Sequence, residues 1–300
     1  MSASVALTRR GILGSALALA AAPRALWAQD AAPGSHGVTL GEPTPFSRET
    51  VVEAARALAA QPYAPPPEIS QDWRGLSYDQ SREIWFESLN ALYRGTDSPF
   101  AAEMFVASLY QTTEVSINAV EDGQARPVNF ELRLFATTDR FPSLPESGTG
   151  FSGFRLTHQL EEPGKYQEFA VWQGASYFRG IGRGQTYGIS ARGIALRTGS
   201  AEGAEEFPIF RSFWIERAAP GAPEAVVHAL LDGPSVTGAY TFRITEEAST
   251  EMVVEAVLFP RVALDEVGLA AQTSMFLFND LNRMRFDDFR EGVHDSDGLL

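Results

Sequence analysis

From about residue 100 onward the chain breaks into short apolar or alternating stretches, each bounded by Gly, Pro, Asp or Asn, and few helical patterns intervene. Alternation with a period of two puts every second side chain on one face, so such stretches form half-buried antiparallel strands. The segments are residues 113–120, 127–135, 153–156, 168–172, 186–192, 210–216, 225–231, 238–244 and 250–259. Asp122-Gly123, between the first two, is a hairpin signal, and Phe130, Leu132 and Leu134 share one face of the second. Strands recurring at about 8 to 15 residues without regular helices between them predict an all-β fold, a sandwich rather than a doubly wound parallel sheet. No internal repeat or low-complexity segment is present.

Ahead of these strands the pattern differs. Ser47 is placed to cap a helix over residues 48–60, with Val51, Val52, Ala55 and Leu58 on one face and Pro62 as the stop, which predicts an N-terminal helix packed on a sheet. Residues 62–67 should be extended, and a short helix and strand are expected around Trp73, Tyr78 and Trp85. Residues 29–45 are small and turn-rich, so they read as a flexible tether, with order beginning near Phe46.

Residues 1–28 have a leader's composition: three arginines, no acidic residue, an apolar run from Gly11 to Ala22 and a small-residue exit ending at Ala28. Pro23 and Arg24 cut that run short of the roughly 20 apolar residues a bilayer core requires. Arg9 and Arg10 behind Thr8, followed by Gly-Ile-Leu, look like a twin-arginine address. The expectation is therefore a twin-arginine signal peptide over residues 1–28, passage through the twin-arginine translocase, a periplasmic location and no stable membrane insertion.

Removing that leader takes the net charge from −14 to −17. A chain this acidic is repelled by phosphate backbones and anionic membrane surfaces, so a nucleic-acid partner is not expected and a neutral ligand fits better. There is no cysteine, so stability rests on the core without disulfides.

The chemical motifs are sparse. Gly180-Ile-Gly-Arg-Gly-Gln185 lies between two strand-like segments, where it reads as a hairpin turn and not as a phosphate-cradling loop. His36, His158, His228 and His294 show no metal-ligand spacing, and no G-x-S-x-G elbow occurs. No metal or cofactor is implied. His294-Asp-Ser-Asp-Gly298 could be a strand-end turn whose carboxylates accept backbone N–H bonds, or could hold a catalytic carboxylate. Tyr177, Phe178, Arg179, Tyr187 and Arg192 interleave rings with charges, a composition that suits either an ordinary core and surface or a saccharide-stacking face.

Several segments carry a resemblance: Phe151-Ser-Gly-Phe-Arg155, Gly174-Ala-Ser-Tyr-Phe-Arg179, Tyr187-Gly-Ile-Ser-Ala-Arg-Gly193, Glu205-Glu-Phe-Pro208, Ala229-Leu-Leu-Asp-Gly-Pro-Ser-Val-Thr-Gly-Ala-Tyr240, Thr273-Ser-Met-Phe276 and Val293-His-Asp-Ser-Asp-Gly298. From residue 46 to the last residue the chain resembles the periplasmic glucan biosynthesis proteins G and D, and the leader makes D the nearer relative. The resemblance implies a large galactose-mutarotase-like β-sandwich followed by a smaller immunoglobulin-like domain. It also implies a role in osmoregulated periplasmic glucan production, with β-glucan as the bound partner.

Members are similar to inverting endo-hydrolases of β-1,2-glucan, whose general base falls on Asp295 here and draws its proton from water through a substrate hydroxyl. The family's general acid lies beyond Leu300. Residues 46–300 are thus expected to be the N-terminal part of the sandwich, incomplete, with the immunoglobulin-like domain absent and no hydrolysis by this length of chain alone. Asp297 does not replace the missing acid, because residues two apart on a strand face the same side of the sugar. Within the family motifs, Tyr177, Arg179, Tyr187, Arg192 and Asp232 are the candidate glucan-binding residues. The alternative is a non-catalytic glucan-binding or scaffold protein of the same pathway.

Overall fold

The computed structural model describes residues 37–159, 164–185, 190–200, 203–246 and 249–272. All of these fall in one of the chain's two structural units, residues 36–300. Along the chain come strand β1 (Thr44–Pro45), helix α1 (Arg48–Ala59), the single-turn helices α2 (Gln71–Arg74) and α3 (Tyr78–Ser81), then β2 (Ile84–Phe86), β3 (Phe100–Val106), β4 (Ser116–Glu121), β5 (Gln124–Pro127), β6 (Phe135–Thr137), β7 (Phe151–His158) and β8 (Gln167–Gln173). They are followed by β9 (Tyr177–Gly180), β10 (Ser190–Arg192), β11 (Ile194–Leu196), β12 (Ile209–Glu216), β13 (Glu224–Asp232), β14 (Val236–Glu246), β15 (Thr250–Pro260) and β16 (Val267–Leu269).

These strands form the expected all-β sandwich. A seven-stranded sheet runs β1-β5-β4-β12-β13-β14-β15 and a five-stranded sheet runs β10-β9-β8-β7-β3, with two small pairs, β2–β6 and β11–β16. All pairings within the two large sheets are antiparallel except β4 with β12. Parallel neighbours need a crossover, and here the crossover carries the whole five-stranded sheet except β3.

Aromatic rings hold the two sheets together. Phe154 of β7 stacks on Trp172 of β8 at 4.9 Å and meets Phe213 of β12 edge-on at 5.1 Å. Trp172 and Phe178 approach Phe242 of β14 at 5.3 and 5.0 Å. Edge-to-face packing of this kind adds to the roughly 1.5–3 kcal/mol that burying each large side chain contributes. The order of inward and outward residues follows the alternation read from the sequence: Tyr240, Phe242 and Ile244 are buried inward, whereas Ala239 packs on the opposite face.

That opposite face is covered by α1. Val51, Val52 and Ala55 are buried against Leu230 and Ala239, with Leu58, Trp214, Val257 and Phe259 packed around them. The helix starts after Ser47, whose backbone N–H donates to the Thr50 hydroxyl at 3.2 Å, and it ends before Pro62, as the sequence suggests.

Two local differences have clear causes. Order begins before Phe46: the Gly41 N–H donates to the Pro127 carbonyl at 2.8 Å, the Asn129 N–H to the Thr39 carbonyl at 3.0 Å, and Thr44 and Pro45 pair with β5. Pro43 and Pro45 look like breakers in sequence, yet an edge position has no partner for the missing N–H and tolerates them. The alternating stretch 127–135 is not one strand, since the ladder stops at Pro127 and residues Leu132–Leu134 make a 3₁₀ turn before β6. Phe130 and Leu134 still reach the core, while the Leu132 N–H donates to the Glu146 carboxylate at 2.6 Å instead of to a strand.

Asp122 and Gly123 both have positive φ, 49° and 71°, and join β4 to β5 as a two-residue hairpin turn. A stricter constraint lies at Gly153, with φ 156°, where an added Cβ would stand 2.1 Å from the Trp172 carbonyl oxygen of β8. Gly153→Ala must therefore push two paired strands apart, and is expected to cost about 1–3 kcal/mol, as overpacking does. A chemical-denaturation midpoint equal to that of the parent would contradict this.

Candidate functional site

Strand β9 pairs with β10 so that Tyr177 faces Arg192, Phe178 faces Ala191 and Arg179 faces Ser190. Directly opposed residues share a side, so Tyr177, Arg179 and Arg192 lie on one face while Phe178 turns into the core. The expected hairpin connection lies between these strands, with the Gln185 N–H donating to the Gly182 carbonyl at 3.0 Å.

Arg192 is nearly buried and lies between two rings, its Cζ 4.5 Å from the Phe207 ring centroid and 5.7 Å from that of Tyr177. A guanidinium over aromatic faces is held by their quadrupoles, more strongly where water is excluded. Its Nη1 pairs with the Glu205 carboxylate and its Nη2 donates to the Glu206 carbonyl at 3.1 Å. Hydrogen bonds from Arg192 and then from the Thr198 hydroxyl, at 2.8 Å, hold the Glu205 carboxyl below its ordinary pKa. This fixes both Arg192 and the side of Tyr177 that it supports.

Arg179 belongs to a chain of alternating charges that crosses four strands. Its Nη2 lies 3.4 Å from Glu168 of β8, whose other oxygen is 3.3 Å from Arg155 of β7, and Arg155 makes bonds of 2.6 and 2.9 Å to Glu103 of β3. Burial by itself would lower the Arg155 pKa, but the Glu103 and Glu168 carboxylates outweigh it and the pKa is raised.

Tyr177 also lines a cavity of about 150 Å³ together with Tyr110, Gln111, Thr113, Ser152 and Gln173. The Gln173 amide donates to the Ser152 hydroxyl at 3.0 Å, which orients it. A ring bordered by amides and hydroxyls can stack the apolar face of a neutral polyol and satisfy its hydroxyls.

Asp232 stands apart from this group. It ends β13 in the other sheet, does not line the cavity, and its carboxylate, 1% exposed, accepts from Arg211 at 2.7 Å and Arg261 at 2.9 Å. Arg261 in turn donates to the Leu58 and Gln61 carbonyls, so this charge cluster ties β13 to the end of α1. Tyr187 and Asp295 lie outside the described residues. The structure thus places Tyr177, Arg179 and Arg192 on one face, and of these three Tyr177 lines the cavity. It adds Phe207, Gln111 and Gln173, which sequence reasoning passed over; of these only Phe207 sits in a segment that carried the resemblance.

Residues 46–300 match the family described as "Periplasmic glucan biosynthesis protein, MdoG". The chain belongs to this family. It is 42% identical over 297 residues to the "Glucans biosynthesis protein G" of Bradyrhizobium diazoefficiens, an alignment covering 98% of this chain and 57% of the relative. It is 46% and 47% identical over 257 residues to proteins of the same name from Shewanella sp. (strain MR-4) and Shewanella baltica (strain OS155 / ATCC BAA-1091), covering 85% of this chain and 47% of each relative. The chain spans about half the length of the curated relatives it matches. Among the described residues no helix is long and apolar enough to cross a membrane.

Proposed function

We propose that this MdoG-family chain is the glucan-recognising part of a periplasmic protein of glucan biosynthesis, delivered by the twin-arginine translocase. The observation that carries the reading is the family match over residues 46–300, together with relatives named for glucan biosynthesis at 42–47% identity. The cavity beside the face bearing Tyr177, Arg179 and Arg192 supports it, because it offers a neutral saccharide a ring held by the Arg192 guanidinium together with amides and hydroxyls. In the full-length protein the proposed activity is inverting hydrolysis of β-1,2-glucan, with Asp295 as general base acting on water through a substrate hydroxyl, and with Tyr187 as a further glucan-binding residue. The leader, read as a twin-arginine signal, favours kinship with D; the relatives described above are named G.

A second reading has its own support. The relatives' names speak of biosynthesis and not of hydrolysis, which suits a glucan-binding scaffold without turnover.

Recognition itself is tested by calorimetry of full-length protein with linear β-1,2-glucan. Tyr177→Ala is expected to weaken binding about tenfold while lowering the melting temperature by only a few degrees through the lost Arg192 contact, and Tyr177→Phe, which keeps the ring, to restore most of both. Equal affinity in all three proteins would remove Tyr177 from the site.

A further inference from the structure

Next to the Tyr177 cavity, and sharing Tyr110, Gln111 and Gln173 with it, lies a second cavity of about 310 Å³. Three rings that the fold leaves in the open converge on it: Tyr78, Trp85 and Tyr110, with fractional exposures of 59%, 49% and 77%. Ser81, Ser108 and the two glutamine amides complete the polar part of its wall, and no charged side chain is among the residues lining it. In a chain of net charge −14 that absence is informative. Elsewhere on the molecule, the 620 Å³ hollow beside His228 is lined by Arg48, Asp97, Glu121, Glu216, Arg217 and Arg243.

The exposure of these rings is built into the backbone. On β2 the neighbours of Trp85, Ile84 and Phe86, are buried, so the alternation of the strand turns the indole outward. Its cross-strand partner on β6 is Ala136, too small to cover a ring. Tyr110 follows Leu109, a non-glycine residue with φ 43°, in a turn closed by the Gln111 N–H donating to the Ser108 carbonyl at 2.8 Å. A leucine in the left-handed region costs conformational energy, and such strain concentrates where a side chain is presented for binding. The Tyr78 ring is braced by the Arg82 guanidinium, 5.6 Å from its centroid.

We propose that Tyr78, Trp85 and Tyr110 form a second stacking platform for a neutral oligosaccharide, so that a chain held at Tyr177 continues across Gln111 and Gln173 onto these rings. The proposal rests on the glucan-recognition reading above and extends it to a ligand several sugars long. Its occupant is neutral because the wall is uncharged, and a polyol because rings alternate with amides and hydroxyls. No cation lines the cavity to pair with an anionic ligand, the Arg82 guanidinium being engaged with the Tyr78 ring, and an apolar peptide would leave the glutamine amides unpaired.

The experiment titrates full-length protein with linear β-1,2-glucan fractions of short and long chain length. The platform predicts that longer chains bind more tightly than short ones, and that Trp85→Ala removes this gain, about tenfold, without weakening the short fraction. Trp85→Phe should restore part of the gain, and Tyr78→Ala, whose ring lines the second cavity and not the Tyr177 cavity, should act like Trp85→Ala. By contrast, Tyr177→Ala should weaken short and long chains alike. If Trp85→Ala leaves the length dependence intact, or if affinity does not depend on length, the platform is overturned while recognition at Tyr177 stands. If neither fraction binds the parent protein, both the platform and the glucan reading fall. Oxidative labelling of the ligand-free protein closes the remaining route: a Trp85 ring shielded before glucan is added would show that protein already covers it, which also overturns the proposal.

Discussion

Asp295→Asn in the full-length protein is expected to lower hydrolysis of β-1,2-glucan by about 10²- to 10⁴-fold, the span that a positioned general base contributes. The substitution keeps the shape of the side chain and removes its capacity to take up a proton. In an inverting glycosidase one carboxyl group protonates the leaving oxygen while the other activates water from the opposite face of the sugar, about 6.5–9.5 Å away. Loss of the base therefore stops the attack of water and leaves ring stacking and hydroxyl contacts untouched. Reducing-end release should collapse while calorimetric affinity for the same glucan stays within a factor of a few. Unchanged processing of glucan would deny Asp295 that role and favour the scaffold reading. Because affinity and turnover are measured on the same protein, a folding defect cannot imitate the expected pattern.

The second large effect concerns stability. Asp232→Ala should destabilise the fold by about 3–5 kcal/mol, because it removes one partner of a buried ion cluster and leaves charge behind. Arg261 is only 8% exposed, and without Asp232 its guanidinium keeps just the Leu58, Gln61 and Gly233 carbonyls as acceptors. The loss falls where β13 meets the end of α1, so the helix should loosen from the seven-stranded sheet. At roughly 2–4 °C per kcal/mol for a domain of this size, thermal unfolding should shift down by roughly 10 °C. Glucan affinity of the protein that remains folded should not change. A drop in affinity with an unaltered melting temperature would return Asp232 to the sugar site.

How far the sequence leads depends on whether a feature is local. The all-β class, the turn at Asp122-Gly123 and helix α1 follow from periodicity and turn chemistry within a few residues of one another, and the structure has each of them. Which strands neighbour one another is not local, so the parallel placement of β4 beside β12 is invisible in the pattern. The stretch 127–135 misleads for a related reason: Phe130, Leu132 and Leu134 alternate as a strand would, but the Asn129 and Leu132 N–H groups donate to the Thr39 carbonyl and the Glu146 carboxylate, outside the stretch. At the site, Tyr177 and Arg179 could be assigned to one face from spacing alone. Their supports could not, since Glu103, Arg155 and Glu168 come from three other strands and Phe207 from a loop. Asp232 shows the same limit from the other side, as nothing near it in sequence announces Arg211 and Arg261 as its partners in space.

The parallel pairing of β4 with β12 also carries a consequence for time. Asn118 on β4 donates to the carbonyl of Phe213, 95 residues further on, at 3.0 Å. A ribosome adding about 5–20 residues per second leaves β4 waiting roughly 5–20 s for the strand that will close over it, far longer than the microseconds a hairpin needs. Throughout that interval the β4–β5 hairpin presents one open edge to the cell. The newborn protein thus passes through a window in which a chaperone, or an unwanted neighbour, can reach that edge before its own β12 does.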